Sequence, residues 1–73
     1  IVQINGHTDD VGTEQSNILL SQQRADAVVK RLIQLGIPAK SLLAKGYGES
    51  RPVSANNSEA GRQRNRRIEF EVK

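Results

Sequence analysis

Apolar side chains recur along the chain with two different periods, which predicts strands near both ends and a long helix between them. Residues 1–4 are mostly apolar and β-branched, and Asn5-Gly6 predicts that the first strand stops there. Residues 66–73 alternate between apolar and charged side chains, as in a strand with one buried face. The expected buried face carries Ile68, Phe70 and Val72.

Residues 17–35 have the pattern of an amphipathic helix, with apolar side chains every three or four positions. Ser16 and Asn17 are suited to cap its start. Gly36 followed by Pro38 predicts its end, because glycine adopts the left-handed cap and proline prevents continuation. The expected buried stripe contains Leu20, Ala25, Val28, Leu32 and Leu35.

A second strand and a short helix complete the predicted elements. Residues 41–47 form the strand, and residues 49–61 are mostly loop, with Ser58 placed to cap a helical turn over residues 58–62. A strand–helix–strand unit predicts a right-handed crossover between parallel strands, and the last strand is expected to pair antiparallel in the same sheet. The sequence therefore predicts one α/β domain over residues 1–73, with a mixed sheet and a helix on one face.

Composition limits both the core and the available chemistry. Hydrophobic residues make up 36% of the chain and aromatic residues 3%, so the core must be thin and built from aliphatic side chains. Cysteine is absent, which excludes disulfides and cysteine-based zinc sites. No apolar run reaches the roughly 18 residues of a membrane-spanning helix, so this segment is not expected to insert into a membrane.

Asp9 is the first candidate for ligand binding. It follows the first strand at the expected tip of its turn, where an accessible carboxylate would accept hydrogen bonds from a ligand ammonium. Aspartate in a turn also binds a backbone N–H two residues further on, so an Asx turn that only organises the loop is an equal alternative. Residue type and position favour neither interpretation.

Arg24 is the second candidate. It lies four residues after Leu20, on or beside the expected buried stripe, where a guanidinium must reach solvent or meet an anion. Its forked geometry suits a carboxylate, so Asp9 and Arg24 would hold the two ends of one small zwitterion. The competing interpretation, slightly favoured by residue types alone, is an internal ion pair with Asp9 or Asp10.

Patterns for catalysis and metal binding are weak. His7 lies near Asp9 and Asp10 but has no second ligand cluster, so it is expected to form a hydrogen bond within its turn rather than to bind a metal. Ser21 and His7 lack the glycine pattern and the third member of a hydrolase triad. No enzyme activity, metal or cofactor is therefore expected.

The net charge of +3 includes a dense basic stretch over residues 62–67. This basic stretch indicates an alternative function for the chain, as an interaction module that binds nucleic acid or another polyanion. Nucleic-acid recognition would need stacking aromatics or a recognition helix, and neither accompanies this stretch. A solvated flank with one or two ligand-facing arginines is the better interpretation.

Several separated motifs run the whole chain in a familiar order and spacing. They are Gly6-His7-Thr8-Asp9, Asn17, Leu20-Ser21-Gln22-Gln23-Arg24-Ala25, Gly46-Tyr47-Gly48-Glu49, Pro52, Asn56 and Gly61-Arg62-Gln63-Arg64-Asn65-Arg66-Arg67. Together they resemble the OmpA-like domain, the peptidoglycan-binding module shared by OmpA C-terminal regions, peptidoglycan-associated lipoproteins and the flagellar stator protein MotB. The resemblance does not choose among these members.

The resemblance implies an α/β sandwich that binds peptidoglycan non-covalently at the diaminopimelate of the stem peptide. Such a module anchors an outer-membrane or envelope protein to the cell wall in the periplasm. In the family pattern, the aspartate at Asp9 takes the ligand ammonium and the arginine at Arg24 takes its carboxylate. Thr8 and Asn17 match positions that line the same pocket, and Arg66 matches a pocket-side position.

This sequence departs from the family pattern at the front of the chain. Family domains are longer and begin with another strand and helix, so we expect an N-terminally truncated module in which this first strand and helix are absent. One sheet edge and one face are then left uncovered, which favours edge pairing. A homodimer or a swapped assembly that fills the gap stays open as an alternative.

Overall fold

Three strands form one mixed sheet in the computed structural model, which describes residues 1–73. The central strand β1 (Val2–His7) pairs in parallel with β2 (Leu42–Gly48) and antiparallel with β3 (Arg67–Val72). The helix α1 (Glu14–Gln34) connects β1 to β2, and the shorter helix α2 (Glu59–Asn65) precedes β3. The predicted order of elements, the parallel crossover and the antiparallel last strand are confirmed.

α1 begins earlier than the sequence pattern predicts. Thr13 is its N-cap, and the Thr13 hydroxyl accepts a hydrogen bond from the Ser16 N–H over 3.0 Å. The prediction that Ser16 or Asn17 caps the helix is therefore wrong, because both residues lie within its first turns. The predicted end is confirmed, since Gly36 follows the helix with a φ of 104°.

β1 continues through Asn5-Gly6 to His7, so the prediction that the strand stops at this pair is wrong. Gly6 lies inside the strand because α1 crosses directly over it. A Cβ on Gly6 would lie only 2.2 Å from the Ser21 carbonyl oxygen. The glycine that suggested a turn instead permits close packing of helix on sheet.

Polar contacts, as well as apolar ones, hold α1 on the sheet. The buried hydrophobic side chains are Ile4, Ala25 and Leu42. The Ser21 hydroxyl accepts a hydrogen bond from the Gly48 N–H over 2.9 Å, and is itself buried. The predicted stripe is wrong in detail, because Leu20 and other large apolar side chains of α1 remain exposed.

β3 carries an apolar row on a part of the sheet that α1 does not cover. Ile68, Phe70 and Val72 alternate onto the side that bears α1, as their pairing with β1 requires. α1 packs on β2 and β1. Phe70 is consequently 65% exposed and Val72 84% exposed, whereas Ile68 is half-buried, so the expected burial is wrong for Phe70 and Val72 although the alternation is right.

The segment after β2 contains a longer helix than the sequence pattern predicts. α2 extends to Asn65, beyond the predicted end at residue 62. Its predicted cap is confirmed, since the Ser58 hydroxyl accepts a hydrogen bond from the Gly61 N–H over 3.1 Å. Although α1 has 21 residues, neither helix has the combined length and apolar composition that crossing a bilayer requires.

Candidate ligand-binding site

Asp9 lies two residues after β1 and is buried, with 7% of its surface exposed. The prediction of an accessible residue at the tip of a turn is therefore wrong. Its backbone carbonyl accepts hydrogen bonds from the Thr8 hydroxyl over 2.9 Å and from the Asn17 side-chain amide over 3.3 Å. Thr8 and Asn17 thus fix the Asp9 backbone between the end of β1 and the start of α1.

The two carboxylate oxygens of Asp9 have different donors. Oδ1 accepts a hydrogen bond from the Val11 N–H over 3.0 Å, which is the predicted Asx turn. Oδ2 accepts from Nη1 of Arg66 over 2.6 Å. Burial raises the pKa of Asp9, but the Val11 N–H and the Arg66 guanidinium outweigh it and leave the pKa below its ordinary value. The carboxylate is therefore ionised at neutral pH and already binds one cation.

Arg66 joins two carboxylates from different parts of the chain. It is the C-cap residue of α2, and its Nη2 donates to Oε1 of Glu59 over 2.5 Å while Nη1 donates to Asp9. Glu59 and Asp9 both raise the pKa of Arg66. The sequence prediction missed Glu59. A spacing of seven residues between Glu59 and Arg66, which places both on one side of a helix, was the available signal.

Asn65 fixes the loop that precedes α2, and its role was also missed. It is fully buried, and its Oδ1 accepts from the backbone N–H groups of Val53 and Ser54 over 2.8 and 3.0 Å. Its side-chain amide donates to the Ser54 carbonyl and to Oδ1 of Asn56. Because Arg66 is the next residue, this network also sets where its side chain leaves the backbone.

Arg24 lies on α1 and is exposed, and it forms neither a hydrogen bond nor an ion pair. The predicted internal pair with Asp9 or Asp10 is wrong, because Arg66 occupies the Asp9 carboxylate. Its expected place on or beside the buried stripe holds only as beside it, since Arg24 itself is exposed while its neighbour Ala25 is buried. The structure therefore brings Thr8, Asn17 and Arg66 each into direct contact with Asp9, whereas Arg24 contacts none of them through a hydrogen bond or ion pair.

His7 and Ser21 lie on opposite sides of the sheet and do not form a catalytic pair. Gly6 faces Ser21, so its neighbour His7 faces away from α1 and stacks on Tyr47 with ring centroids 5.3 Å apart. The predicted hydrogen bond within a turn is wrong, since Nδ1 of His7 is buried without a partner. Burial lowers the pKa of His7, and Arg67 lowers it further. The Ser21 hydroxyl donates to the Ile18 carbonyl over 2.9 Å.

The arginines of residues 62–67 are mostly engaged within the protein. Arg62 contacts Glu59 over 3.3 Å and donates to the Asn56 carbonyl over 3.1 Å. Arg67 pairs with Glu69. With Arg66 bound to Asp9, only Arg64 of the four is free of an internal contact, which leaves little of this stretch for a polyanion.

Curated proteins of similar sequence include an outer membrane porin and an outer-membrane lipoprotein. Outer membrane porin F of Pseudomonas fluorescens is 49% identical over 71 residues, which cover 97% of this chain and 22% of the porin. The outer-membrane lipoprotein YfiB of Pseudomonas aeruginosa is 42% identical over 67 residues, which cover 92% of this chain and 40% of the lipoprotein. The chain spans less than half the length of these curated relatives.

Solved structures share the same fold. The peptidoglycan-associated lipoprotein from Burkholderia pseudomallei superposes with a TM-score of 0.91 at 36% identity, covering 94% of this chain and 58% of that one. The C-terminal domain of Helicobacter pylori MotB superposes with a TM-score of 0.89 at 34% identity, covering 96% and 54% respectively. The sequence model of the OmpA family matches residues 1–66. On this sequence and structural evidence, the chain belongs to the OmpA family.

Proposed function

We propose that this chain binds peptidoglycan non-covalently through the diaminopimelate of the stem peptide, and so anchors an envelope protein to the cell wall in the periplasm. The names of similar solved proteins support the general class, since one is a peptidoglycan-associated lipoprotein and another is the cell wall anchor of a secretion system. In this proposal the chain is a binding module and not an enzyme.

The observation that carries the proposal is the contrast between the two candidate charges. The Asp9 carboxylate is buried, ionised and already holds a guanidinium cation over 2.6 Å. The Arg24 guanidinium is exposed and has no anion. A ligand that carries an ammonium and a carboxylate complements both groups, and the zwitterionic end of diaminopimelate is such a ligand.

The position of Arg24 on α1 supports a joint role with Asp9. Arg24 follows Asn17 by seven residues, which places it about 10 Å further along the same side of the helix. Long helical side chains lean toward the helix N-terminus, so Arg24 leans toward the end where Asn17 holds the Asp9 carbonyl. In the proposal, Thr8 and Asn17 fix the Asp9 backbone at the site, and Arg66 neutralises the Asp9 carboxylate before the ligand binds.

The polyanion alternative has less support. Of the four arginines in residues 62–67, three are bound to carboxylates or carbonyl groups of the protein itself. Arginines that are already paired within the protein neutralise fewer charges of a polyanion, so they release fewer of its counterions and contribute less to such binding. This function is therefore not proposed.

The test is calorimetric titration of a soluble diaminopimelate-containing muropeptide. Asp9→Asn and Arg24→Gln each remove one charge of the clamp, and we expect each to weaken binding by about tenfold or more. Asp10→Asn and Arg31→Gln remove matched charges from exposed neighbouring positions, and we expect both controls to bind as the parent does.

Ligand variants assign each contact. Amidation of the diaminopimelate carboxylate should weaken binding to the parent more than binding to Arg24→Gln, because the contact with Arg24 is already lost there. Equal weakening of both proteins by amidation would contradict the assigned role of Arg24. Failure of the folded parent to bind any muropeptide would contradict the proposed function.

The uncovered row of β3 belongs to the same proposal. We propose that further residues of a longer polypeptide cover Ile68, Phe70 and Val72, and that the 73-residue chain associates with itself through this row when they are missing. In support, the row is exposed beside a free strand edge, since β3 ends the strand order β2-β1-β3. The similar solved chains are also longer than this one.

A further inference from the structure

The contacts of Arg66 carry a consequence for ligand selectivity. Its guanidinium donates to Oδ2 of Asp9 over 2.6 Å and to Oε1 of Glu59 over 2.5 Å. These partners differ in environment, because the Asp9 side chain is 9% exposed and the Glu59 side chain is 66% exposed. One guanidinium is therefore shared between a buried carboxylate and a solvated one.

An ammonium that approaches Asp9 meets a carboxylate in which each oxygen already accepts one hydrogen bond. Oδ1 holds the Val11 N–H, and Oδ2 holds the Arg66 cation. A second cation beside Arg66 would be repelled at short range. Movement of Arg66 away from Asp9 relieves this repulsion and so favours binding, and Glu59 is a carboxylate that Arg66 already contacts and can keep.

We infer that Arg66 is an exchangeable counter-ion of Asp9, that it makes the site selective for ligands bearing an ammonium and a carboxylate together, and that Glu59 is the positioning residue that retains the displaced guanidinium. A ligand with only an ammonium displaces Arg66 without supplying it with a new partner. A zwitterion supplies that partner through its own carboxylate, which in the proposed function also contacts Arg24. The inference rests on the proposed function for the identity of the zwitterion, but not for the exchange itself.

The first test needs no ligand. The pKa of the Asp9 carboxyl group is measured by carbon-detected NMR in the parent, in Arg66→Gln and in Arg64→Gln. We expect the pKa of Asp9 to rise in Arg66→Gln and to stay unchanged in Arg64→Gln, whose side chain is exposed on the same helix. An Asp9 pKa that is the same in all three proteins would overturn the inference.

The second test compares two probes, n-butylammonium chloride and the diaminopimelate-containing muropeptide, with the Val11 amide resonance as reporter of the Asp9 carboxylate. We expect Arg66→Gln to bind n-butylammonium about three- to tenfold more tightly than the parent and the muropeptide several-fold less tightly. A merely structural loss weakens both probes together, so a parallel change would overturn the inference. Absence of n-butylammonium binding to Arg66→Gln would overturn it as well.

Glu59 is tested with the same probes. Glu59→Gln leaves Arg66 without its second carboxylate, so we expect n-butylammonium binding to weaken about two- to fivefold. Muropeptide binding should change less than twofold, because the ligand carboxylate replaces Glu59. Glu14→Gln is the matched control, since Glu14 also lies in the first turn of a helix and is exposed. An equal effect of Glu14→Gln would show that only overall charge matters and would overturn the role of Glu59.

A second variant and the two probes together separate the exchange of Arg66 from the proposed function. Arg66→Lys retains one cation without the forked guanidinium, and it replaces Arg66→Gln if the latter does not fold; it is then expected to give the same directions with smaller changes. If the parent binds n-butylammonium as expected but no muropeptide, the proposed function fails and the exchange stands. If the parent binds the muropeptide but Arg66→Gln weakens both probes, the exchange fails and the proposed function stands.

Discussion

Ile4 and Phe70 lie directly opposite each other in the antiparallel pair of β1 and β3, yet Ile4 is fully buried and Phe70 is 65% exposed. Both side chains are on the side of the sheet that bears α1. The difference arises because α1 packs on β1 and β2 and leaves the β3 row uncovered. The boundary of the hydrophobic core therefore runs between these two strands.

This boundary predicts opposite costs for mutations on the two strands. Phe70→Thr removes a large but mostly exposed side chain and keeps good strand propensity, so the free energy of unfolding should change by no more than about 0.5 kcal/mol. Ile4→Val removes one methylene from a fully buried site and should cost about 0.5–1.5 kcal/mol. Urea unfolding of both variants checks the order. A larger loss from Phe70→Thr would mean that the row is packed within the monomer.

The same row predicts self-association of the 73-residue chain. Sedimentation velocity over a range of concentrations should show association that Phe70→Thr weakens by about tenfold. Leu43→Thr is the control, because Leu43 is also an exposed apolar strand residue but alternates onto the other side of the sheet. An equal effect of both changes would contradict a specific contact through β3.

The alternation of β3 could be predicted from the sequence, whereas its exposure could not. Period-2 alternation reports only which residues share a face, as Ile68, Phe70 and Val72 do. Whether that face is covered depends on where α1 lies across the sheet, and that placement depends on glycines. In the sequence, Gly6 suggests a turn, although its role is to let the Ser21 backbone of α1 approach β1.

The Asp9–Arg66 ion pair predicts a pH-dependent contribution to stability. The pKa of Asp9 is lower in the folded protein than its ordinary value of 3.8, so the contribution is present above that pH and is lost as the pH falls through the folded pKa. Asp9→Asn should therefore lower the thermal midpoint by roughly 2–6 °C at pH 7. The difference from the parent should shrink steadily below pH 3.8.

Thermal unfolding followed by circular dichroism at pH 7 and at successively lower pH measures this difference. Asp10→Asn provides the control, because Asp10 is exposed and adjacent. A midpoint difference for Asp9→Asn that persists unchanged to the lowest pH would show that the change of carboxylate to amide acts through something other than the ion pair.

The parts of the site that are close in sequence were easier to predict than those that fold together from a distance. Asp9 as a candidate followed from its place after a strand, but its partner Arg66 lies 57 residues further on. Residue types alone slightly favour an internal ion pair of Arg24 with Asp9 or Asp10, whereas in the structure Asp9 pairs with Arg66. The pairing of Arg66 with Asp9 depends on where α2 lies, and the buried Asn65 helps to fix that position. No local sequence pattern specifies it.

Asn65 is predicted to be a large contributor to stability despite being polar. Asn65→Ala leaves the Val53 and Ser54 N–H groups and the Ser54 carbonyl without their partner, so we expect a loss of about 2–4 kcal/mol in the free energy of unfolding. Asn57→Ala changes an exposed asparagine of the same loop region and should be nearly neutral. Equal urea midpoints for these two variants would contradict the role of Asn65.

Gly6→Ala should be more damaging than Gly36→Ala. The added Cβ would lie 2.2 Å from the Ser21 carbonyl oxygen, and because both are attached to backbone, α1 must move off β1. We expect a loss above about 3 kcal/mol or failure to fold. Gly36→Ala is the control, because nothing lies within 4 Å of its Cβ and only its positive φ opposes alanine, at about 1–2 kcal/mol. Comparable urea midpoints for the two variants would mean that backbone conformation, and not helix contact, explains Gly6.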